Sequence, residues 1–559
     1  MRLTPLRHVF FLVSALAWTA SFARASVVTF PESPPSGHAQ VVQDNFLGIS
    51  FELSSFDTLW GQTKTTMPSA IQNYLSNIRS RITNNLRIRI GGNGMDSSTY
   101  VPGQTQMVVL TDPNAYFNDI PVDFGPVFFD VLNAMADAVG EMQFIIGLSM
   151  QNPSQDSNVI ELATAAEQML GRRLDAMLLG NEPDLYAGHG TRDAYNLSTY
   201  IPEIQEVLID MQNSPAGNLI STPIIGGPTT CCSWDLDEVI NAGLGSLNYK
   251  YYSIQHYPTY YCSGPTDANT NMSYFLSHTN VPAYVHWNSE GVEIAQRSGV
   301  PVLITEYNTV SCGGSPTISP TFAASLWAVD AGLQFAASNI TAAYLHTREY
   351  GITYNLFDPP SANTSSDPNW RTGSPYYAAL ILAEAMSPTG SIVIDLNIDN
   401  STTNVTSHVA GYGIYDEGGT ARGKLVLINY SNDTAHDFVI PPNVTTAFAL
   451  RVLSAPSVNE ETEIDWAGQT VRTNGELDGS QTTSYMACHD GCTITVPGPG
   501  LVLALLDPNS SATDTFYTGN STIAGAVGYI SGASSLVTEF SMLWAMLSWC
   551  FIALLLVLF

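Results

Sequence analysis

At 559 residues the chain is too long for one ordinary core, and predicts two or more domains or one large barrel with an appendage. With 19 Lys+Arg against 49 Asp+Glu, its formal charge of −30 sets the surface field against polyanions and argues against nucleic acid as a partner. A content of 45% hydrophobic and only 12% charged residues supplies a packed core and argues against overall disorder.

In chain order, residues 1–25 read as a cleaved signal peptide. Arg2 and Arg7 precede an apolar run that starts at Val9, and Ala23-Arg24-Ala25 is an A-x-A-like cleavage site. Residues 26–40 carry an N-terminal strand, Val27–Phe30, that can join a later β domain. From 41 to 388, eight short β-prone runs alternate with segments suited to helices: Phe46–Phe51, Leu86–Ile90, Phe144–Met150, Ala176–Leu179, Pro223–Ile225, Tyr252–Tyr257, Val302–Ile304 and Ala342–Leu345. This is the α/β pattern of a (β/α)8 TIM barrel, whose site forms where the C-terminal ends of the strands meet. A doubly wound sheet is the alternative, and polar residues at the end of run after run favour the barrel. The last barrel helix is expected over Tyr376–Met386, with Pro388 and Gly390 as stop signals.

Residues 389–508 change texture to short β-rich runs, among them Ser391–Leu396, Lys424–Ile428, Ala447–Leu453 and Leu501–Leu505, and read as a β-sandwich domain. Residues 509–531 form a Ser/Thr/Gly-rich linker. Residues 532–559 read as a hydrophobic GPI-type signal. Ser531-Gly532-Ala533 supplies small residues, a short spacer follows, and Ser541–Phe559 is uncharged; a transmembrane tail is the alternative.

Asn196, Asn271, Asn339, Asn363, Asn400, Asn404, Asn429, Asn432, Asn443, Asn509 and Asn520 each begin an N-x-S/T triplet, a density that fits a secreted or cell-surface glycoprotein. Without the tail, which holds Cys550, the cysteines are Cys231, Cys232, Cys262, Cys312, Cys488 and Cys492, an even set that predicts disulfides. The first four follow runs five, six and seven, so they belong to loops on the catalytic face. Vicinal pairing makes a strained ring, so one of Cys231 and Cys232 is expected to reach Cys262 and the other Cys312, while Cys488 and Cys492 close a separate small ring.

Run four ends in Leu179-Gly180-Asn181-Glu182-Pro183-Asp184, and run seven in Ile304-Thr305-Glu306-Tyr307-Asn308. Alone, Glu182 reads as a helix-initiating acid and Glu306 as a solvated loop acid. Together at the mouth of one barrel they are the two carboxyl groups that glycoside hydrolysis requires, one holding a proton and one ionised. The mature region has neither G-x-S-x-G nor H-E-x-x-H, and Gly91-Gly92-Asn93-Gly94 is not a dinucleotide fingerprint, so no metal and no cofactor is expected.

At these residues the chain resembles a known family. Asn181-Glu182-Pro183 with a glutamate ending strand seven resembles the large clan of retaining (β/α)8 glycosidases. Gly180–Asp184, Arg89-Ile90-Gly91-Gly92-Asn93 and Ile304–Asn308 look like glycoside hydrolase family 79, which holds fungal and bacterial β-glucuronidases and heparanase. The resemblance spans roughly residues 27 to 507. It implies that Glu182 is the acid/base and Glu306 the nucleophile of a double displacement through a covalent glycosyl-enzyme, with the carboxyl groups about 5–5.5 Å apart. It also implies a sugar contact at Glu52, and uronate recognition by the loop after run eight through Tyr350, Gly351 and Tyr354.

Beside that pair, alternation in run two puts Arg87 and Arg89 on the side opposite Leu86, Ile88 and Ile90, which makes Arg89 the cation that keeps Glu306 charged. Asn181 can donate to the sugar 2-hydroxyl, and Tyr257 can donate its phenol to Glu306. His256 reads as structural, and Arg348 as a carboxylate clamp or as the partner of Glu349. The leading expectation is therefore a retaining O-glycosyl hydrolase, a β-glucuronidase acting on cell-wall or proteoglycan-type glycans and tethered to the membrane by a C-terminal lipid anchor. A neutral-sugar glycosidase (glucose, xylose) and a catalytically silent carbohydrate-binding wall protein are the alternatives. Two converging carboxylates speak against the last.

Overall fold

The structure, a computed structural model, describes residues 24–112, 114–115, 120–152, 157–361 and 369–507. Eight strands close into a barrel: β1 (Leu47–Glu52), β2 (Leu86–Gly91), β3 (Met142–Leu148), β4 (Leu174–Leu179), β5 (Ile225–Thr230), β6 (Tyr251–His256), β7 (Val302–Tyr307) and β8 (Ala342–Thr347). Each pairs in parallel with the next, and β8 with β1. Among shorter helical turns, one longer helix follows each strand: α1 (Ser69–Arg79), α2 (Val127–Val139), α3 (Ser157–Leu170), α4 (Leu197–Gln212), α5 (Leu236–Ala242), α6 (Ser289–Ser298), α7 (Phe322–Ala337) and α8 (Pro375–Ala385).

The alternation in β2 holds. Leu86, Ile88 and Ile90 join the core beneath the helices, while Arg87 faces Tyr344 and Asp175, and Arg89 faces Ser50 and Asn181. The fifth strand lies later than the apolar run Pro223–Ile225 suggests, and is built from Ile-Gly-Gly-Pro-Thr-Thr. Its Gly-Gly-Pro centre is weak in strand propensity, but close packing selects glycine there: a Cβ on Gly226 would lie 2.6 Å from Leu178 of β4.

Helices α7 and α8 are buried on every face, as expected of helices that are apolar all round and enclosed by other layers. They lie between the barrel and the β domain, and each carries an acid into that interface. Glu384 of α8 accepts from Arg81 at 2.6 Å, Arg451 at 2.6 Å, the Trp466 indole at 3.1 Å and the Gln481 amide at 3.2 Å. Asp330 of α7 meets His278 Nδ1 at 2.9 Å and accepts from the Tyr412 and Tyr430 hydroxyls, while His278 Nε2 lies 3.0 Å from Asp395.

The β domain consists of β9 (Ile392–Asp395), β10 (Val409–Asp416), β11 (Ala421–Asn429), β12 (His436–Ile440), β13 (Ala447–Ser454), β14 (Cys492–Val496) and β15 (Gly500–Leu506), with shorter strands at its edges. An antiparallel sheet in the order β9-β10-β11-β15-β13 packs on a smaller sheet of β12, β14 and an N-terminal strand, Arg24–Val27, which runs parallel to β12. That strand begins two residues before the expected cleavage point after Ala25, and Val28 and Phe30 beyond it lie in the sandwich core. Cys488 pairs with Cys492.

One expected glycosylation site is overturned. Asn429 is buried, and its Nδ2 donates to Thr434 O at 2.8 Å and to Val496 O and Pro497 O, each at 3.2 Å, so the atom that would carry the sugar is enclosed. Asn196, Asn271, Asn400, Asn432 and Asn443 are exposed. Asn363, Asn509, Asn520, the linker, the C-terminal signal and residues 1–23 of the signal peptide lie outside the described residues. Among the described residues, no helix is long and apolar enough to cross a membrane.

Candidate active site

Strand β4 ends at Leu179, and the chain then turns sharply: Gly180 has φ 85° and Glu182 φ 48°. A left-handed conformation costs a non-glycine residue roughly 1–2 kcal/mol, so neighbouring contacts must hold it. Here the Asn181 amide donates to Asp96 at 3.2 Å, the Glu182 amide to Thr229 O at 3.0 Å, and Pro183 opens a helical turn. Asp96 also accepts from the Met150 amide at 2.9 Å and from the Tyr186 hydroxyl. Glu306 belongs to β7 itself, because that strand continues past Ile304 to Tyr307.

One guanidinium ties these elements together. Arg89 donates from Nη1 to Glu306 Oε2 at 3.0 Å and to Ser50 Oγ at 3.0 Å, and from Nη2 to Asn181 Oδ1 at 2.7 Å. Tyr257 donates its hydroxyl to Glu306 Oε1 at 2.7 Å, and Asn181 Nδ2 donates to Asn93 Oδ1 at 2.6 Å. Glu52 Oε1 accepts from the Gly94 amide at 2.7 Å. The His346 ring sits between acids, with Nδ1 3.1 Å from Ser50 Oγ and Nε2 3.7 Å from Glu306 and 3.8 Å from Glu52.

This arrangement separates the proton affinities of the acids. Desolvation on the cleft floor, then the negative charges of Glu306 and Asp184, hold the Glu182 carboxyl well above its ordinary range. Burial pushes Glu306 upward, but the Arg89 guanidinium, the Tyr257 hydroxyl and Arg348 outweigh it and hold that carboxyl below its ordinary range; a charged His346 would add to this pull, but burial keeps that ring neutral. Burial raises Glu52 to about 8 against the pull of Arg348. It also lowers His346 to about 3, which keeps the ring neutral. The innermost groups thus divide into two acids held toward the protonated form, Glu52 and Glu182, one held toward the carboxylate, Glu306, and the cations Arg89 and Arg348.

A cleft of about 790 Å³ opens over these groups, and its lining includes Glu52, Asn93, Glu182, Glu306, Arg348 and Tyr354. Of the residues expected from the loop after β8, Tyr354 lines the cleft. Tyr350 and Gly351 do not; they border a different depression beside Pro316 and Pro320, because the loop carries them outward, with Tyr350 55% exposed. Arg348 is buried, with Nε 3.1 Å from Glu349.

The expected pairing of Cys231 and Cys232 with Cys262 and Cys312 is also overturned. Cys231 pairs with Cys232, and Cys262 with Cys312. The Asp184 carboxylate gathers the amides of Cys231, Cys232 and Ser233, the last two at 2.8 and 2.7 Å, which coils the loop so that the neighbouring thiols meet. Meanwhile Ser311 exchanges backbone bonds with Thr259 and Tyr261, bringing Cys312 beside Cys262.

Sequence reasoning missed Gln255, Asp96, Ser50 and His346 as parts of the site. Gln255 lies two residues before Tyr257, near the end of β6, and His346 lies near the end of β8 as Arg89 does near the end of β2. The alternation that selects Arg89 therefore also flags these two. The cleft-lining His256 is stacked between Trp287 at 4.0 Å and Tyr284 at 4.9 Å, and burial lowers it to about 4, in keeping with its structural reading.

Residues 411–503 match the profile of the glycosyl hydrolase family 79 C-terminal beta domain. A β-glucuronidase of Aspergillus niger is 26% identical over 411 residues, 69% of this chain and 72% of the relative. A β-glucuronidase of Neurospora crassa is 24% identical over 524 residues, 84% of this chain and 90% of the relative. Among solved structures, a 4-O-α-L-rhamnosyl-β-D-glucuronidase from Fusarium oxysporum superposes with a TM-score of 0.71 at 21% identity, over 86% of this chain and all of that one. The barrel, the appended β domain and relatives that span both make the chain similar to glycoside hydrolase family 79, whose C-terminal β domain residues 411–503 match.

Proposed function

We propose that the protein is a retaining β-glucuronidase in which Glu182 is the acid/base and Glu306 the nucleophile. The observation that carries this reading is the unequal setting of the two glutamates at the C-terminal mouth of one barrel: Arg89 and Tyr257 bond Glu306 and favour its carboxylate, while burial beside that charge favours the protonated form of Glu182. Glu182 gives its proton to the glycosidic oxygen as Glu306 attacks the anomeric carbon, forming a glycosyl-enzyme. Glu182, now ionised, takes a proton from the water that releases the sugar. Arg89 and Tyr257 hold Glu306 ionised and aimed, and Asn181 has an amide hydrogen beyond the Asn93 bond to offer the sugar 2-hydroxyl.

For the uronate group, the buried Arg348 beside Tyr354 supplies a cationic donor in the cleft. Protonated Glu52 and Glu182 leave that corner without the negative charge that dominates the rest of the chain. The relatives that are β-glucuronidases support the same choice. Paired disulfides, exposed sequons and the terminal segments support a secreted, glycosylated and GPI-anchored protein.

The test is release of a chromogenic phenol from β-glucuronide, β-glucoside and β-xyloside, with the first-formed anomer followed by NMR. Fast cleavage of the glucuronide with retained β configuration is expected. Cleavage of the neutral glycosides alone rejects the uronate reading, and an inverted product rejects the mechanism.

A further inference from the structure

The cleft lining is chemically uneven. Glu52, Asn93, Arg348 and Tyr354 all bear polar atoms. A second stretch of wall carries Leu185, both halves of the Cys231–Cys232 disulfide, Pro258, Tyr260 and Trp287, with His189 and Thr259 among them. This second wall is joined to the segment that carries Glu182. Leu185 lies three residues after Glu182, the Asp184 carboxylate between them holds the amides of the disulfide loop, and the Glu182 amide bonds Thr229 at the foot of that loop. Trp287 lies flat on His256, 4.0 Å away with 7° between the planes, and Tyr284 backs His256 at 4.9 Å and 13°. Tyr260 is 59% exposed, so its ring is open to a ligand.

We propose that this wall is a leaving-group site for a broad apolar face, with the vicinal disulfide and Trp287 as its contact surfaces. The proposal rests on the reading of Glu182 as acid/base, because the departing oxygen must lie beside the group that protonates it. Pairing the two thiols turns two donors into an apolar ridge of sulfur, and the three Asp184 bonds hold that ridge in place. A leaving group rich in hydroxyls would lose hydrogen bonds to water against such a wall, whereas a flat apolar face would not. Two sources present that chemistry: an aromatic aglycone, and the C–H face of a sugar ring.

The test compares kcat/KM for an aryl β-glucuronide, a glucuronyl disaccharide and methyl β-glucuronide, whose leaving group is too small to reach the wall. In Trp287→Ala the loss for the larger substrates should exceed the loss for the methyl glucuronide by about tenfold. The Cys231→Ser/Cys232→Ser double variant should shift the same ratio in the same direction. A selective loss confined to the aryl substrate assigns the wall to aromatic aglycones, and one that includes the disaccharide assigns it to a sugar face. Tyr260→Ala, at an exposed side chain, should give a smaller selective loss of about threefold, and keeps the test alive if Trp287→Ala fails to fold. Equal losses on all three substrates, or none in either aromatic variant, overturn the proposal. If glucuronides are not cleaved but glucosides are, the same three leaving groups on glucose test the wall, so the uronate reading fails alone.

Discussion

Glu182 and Glu384 are two carboxyls withdrawn from bulk water in one chain, and they end in opposite states. Glu384, between the barrel and the β domain, is saturated by two guanidinium groups, an indole and an amide, which together outweigh burial and hold it below its ordinary range. Glu182 takes part in none of the ion pairs among the described residues, faces the like charge of Glu306, and is held far above that range. Both rest on costly desolvation. The difference lies in completion: the interface cluster satisfies its acid, whereas the barrel mouth withholds a cation from Glu182 and spends Arg89 on Glu306. An incomplete cluster that opens on a cleft can change its protonation during a reaction, and a completed one cannot do so without loss of stability.

The largest expected effects break this comparison from both ends. Glu306→Gln should lower glucuronide hydrolysis by on the order of 10⁴-fold or more with little change in melting temperature. Glu384→Gln should instead cost about 3–5 kcal/mol of stability by stranding Arg81 and Arg451, with kcat retained below the new melt. Rate assays and denaturant melts on both variants decide the matter, and an exchange of the two phenotypes would sink the comparison.

The next effect is on pH. Glu306 must be ionised, so kcat/KM should fall only as pH drops below the ordinary carboxylate range; Glu182 must be protonated, so the alkaline limb should lie well above that range. Glu182→Gln should erase the alkaline limb and cost about 10²–10⁴-fold in rate on a substrate with a poor leaving group. A limb that persists in this variant would assign it to another group.

Stability should carry a pH signature at the domain interface. Burial alone would lower His278, but the Asp330 and Asp395 carboxylates raise it from 6.5 to about 10. A raised folded value means that its contribution is complete below pH 6.5 and drains away between pH 6.5 and 10, as the unfolded chain loses its proton first. Urea melts at pH 6, 8 and 10 should show a steeper alkaline decline in the parent protein than in His278→Asn. Parallel declines would place the alkaline sensitivity elsewhere.

How much of this was legible in the sequence depends on how locally each feature is encoded. Glu182, Glu306, Arg89, Asn181 and Tyr257 stand at or just past the ends of apolar runs, and the barrel converges strand ends by construction, so reading the runs brought these residues together. The fifth strand starts later than its apolar run because Gly226 answers to the crowding of Leu178 and Gly227 to that of Tyr249, which no local pattern records. The vicinal disulfide depended on Asp184 gathering three amides from a loop beyond the next strand, and Asn429 on carbonyls of β14 and its following turn. Tyr350 and Gly351 share a loop with Tyr354, yet the direction of that loop, set by tertiary packing, leaves only Tyr354 at the cleft.

The smallest expected effect sharpens what an incomplete cluster needs. In one orientation the Gln255 amide donates to Asn181 Oδ1 at 2.9 Å. Its oxygen then faces Glu182 Oε1 at 2.9 Å, a contact that requires a proton between the two oxygens. Protonated Glu182 supplies one. Turned over, the amide gives up the Asn181 bond, donates to Glu182 at 2.9 Å and accepts from Arg89 at 3.1 Å, which suits ionised Glu182. Gln255 thus contacts Glu182 in either orientation, and the turned one also brings its oxygen to 2.9 Å from Asn181 Oδ1. Gln255→Met removes a partner from both states, and at about 1 kcal/mol per hydrogen bond should cost roughly fivefold to tenfold in kcat. Because the two losses offset, the alkaline limb should move by less than about one pH unit. A limb displaced downward by much more would show that Gln255 bonds only the protonated form of Glu182.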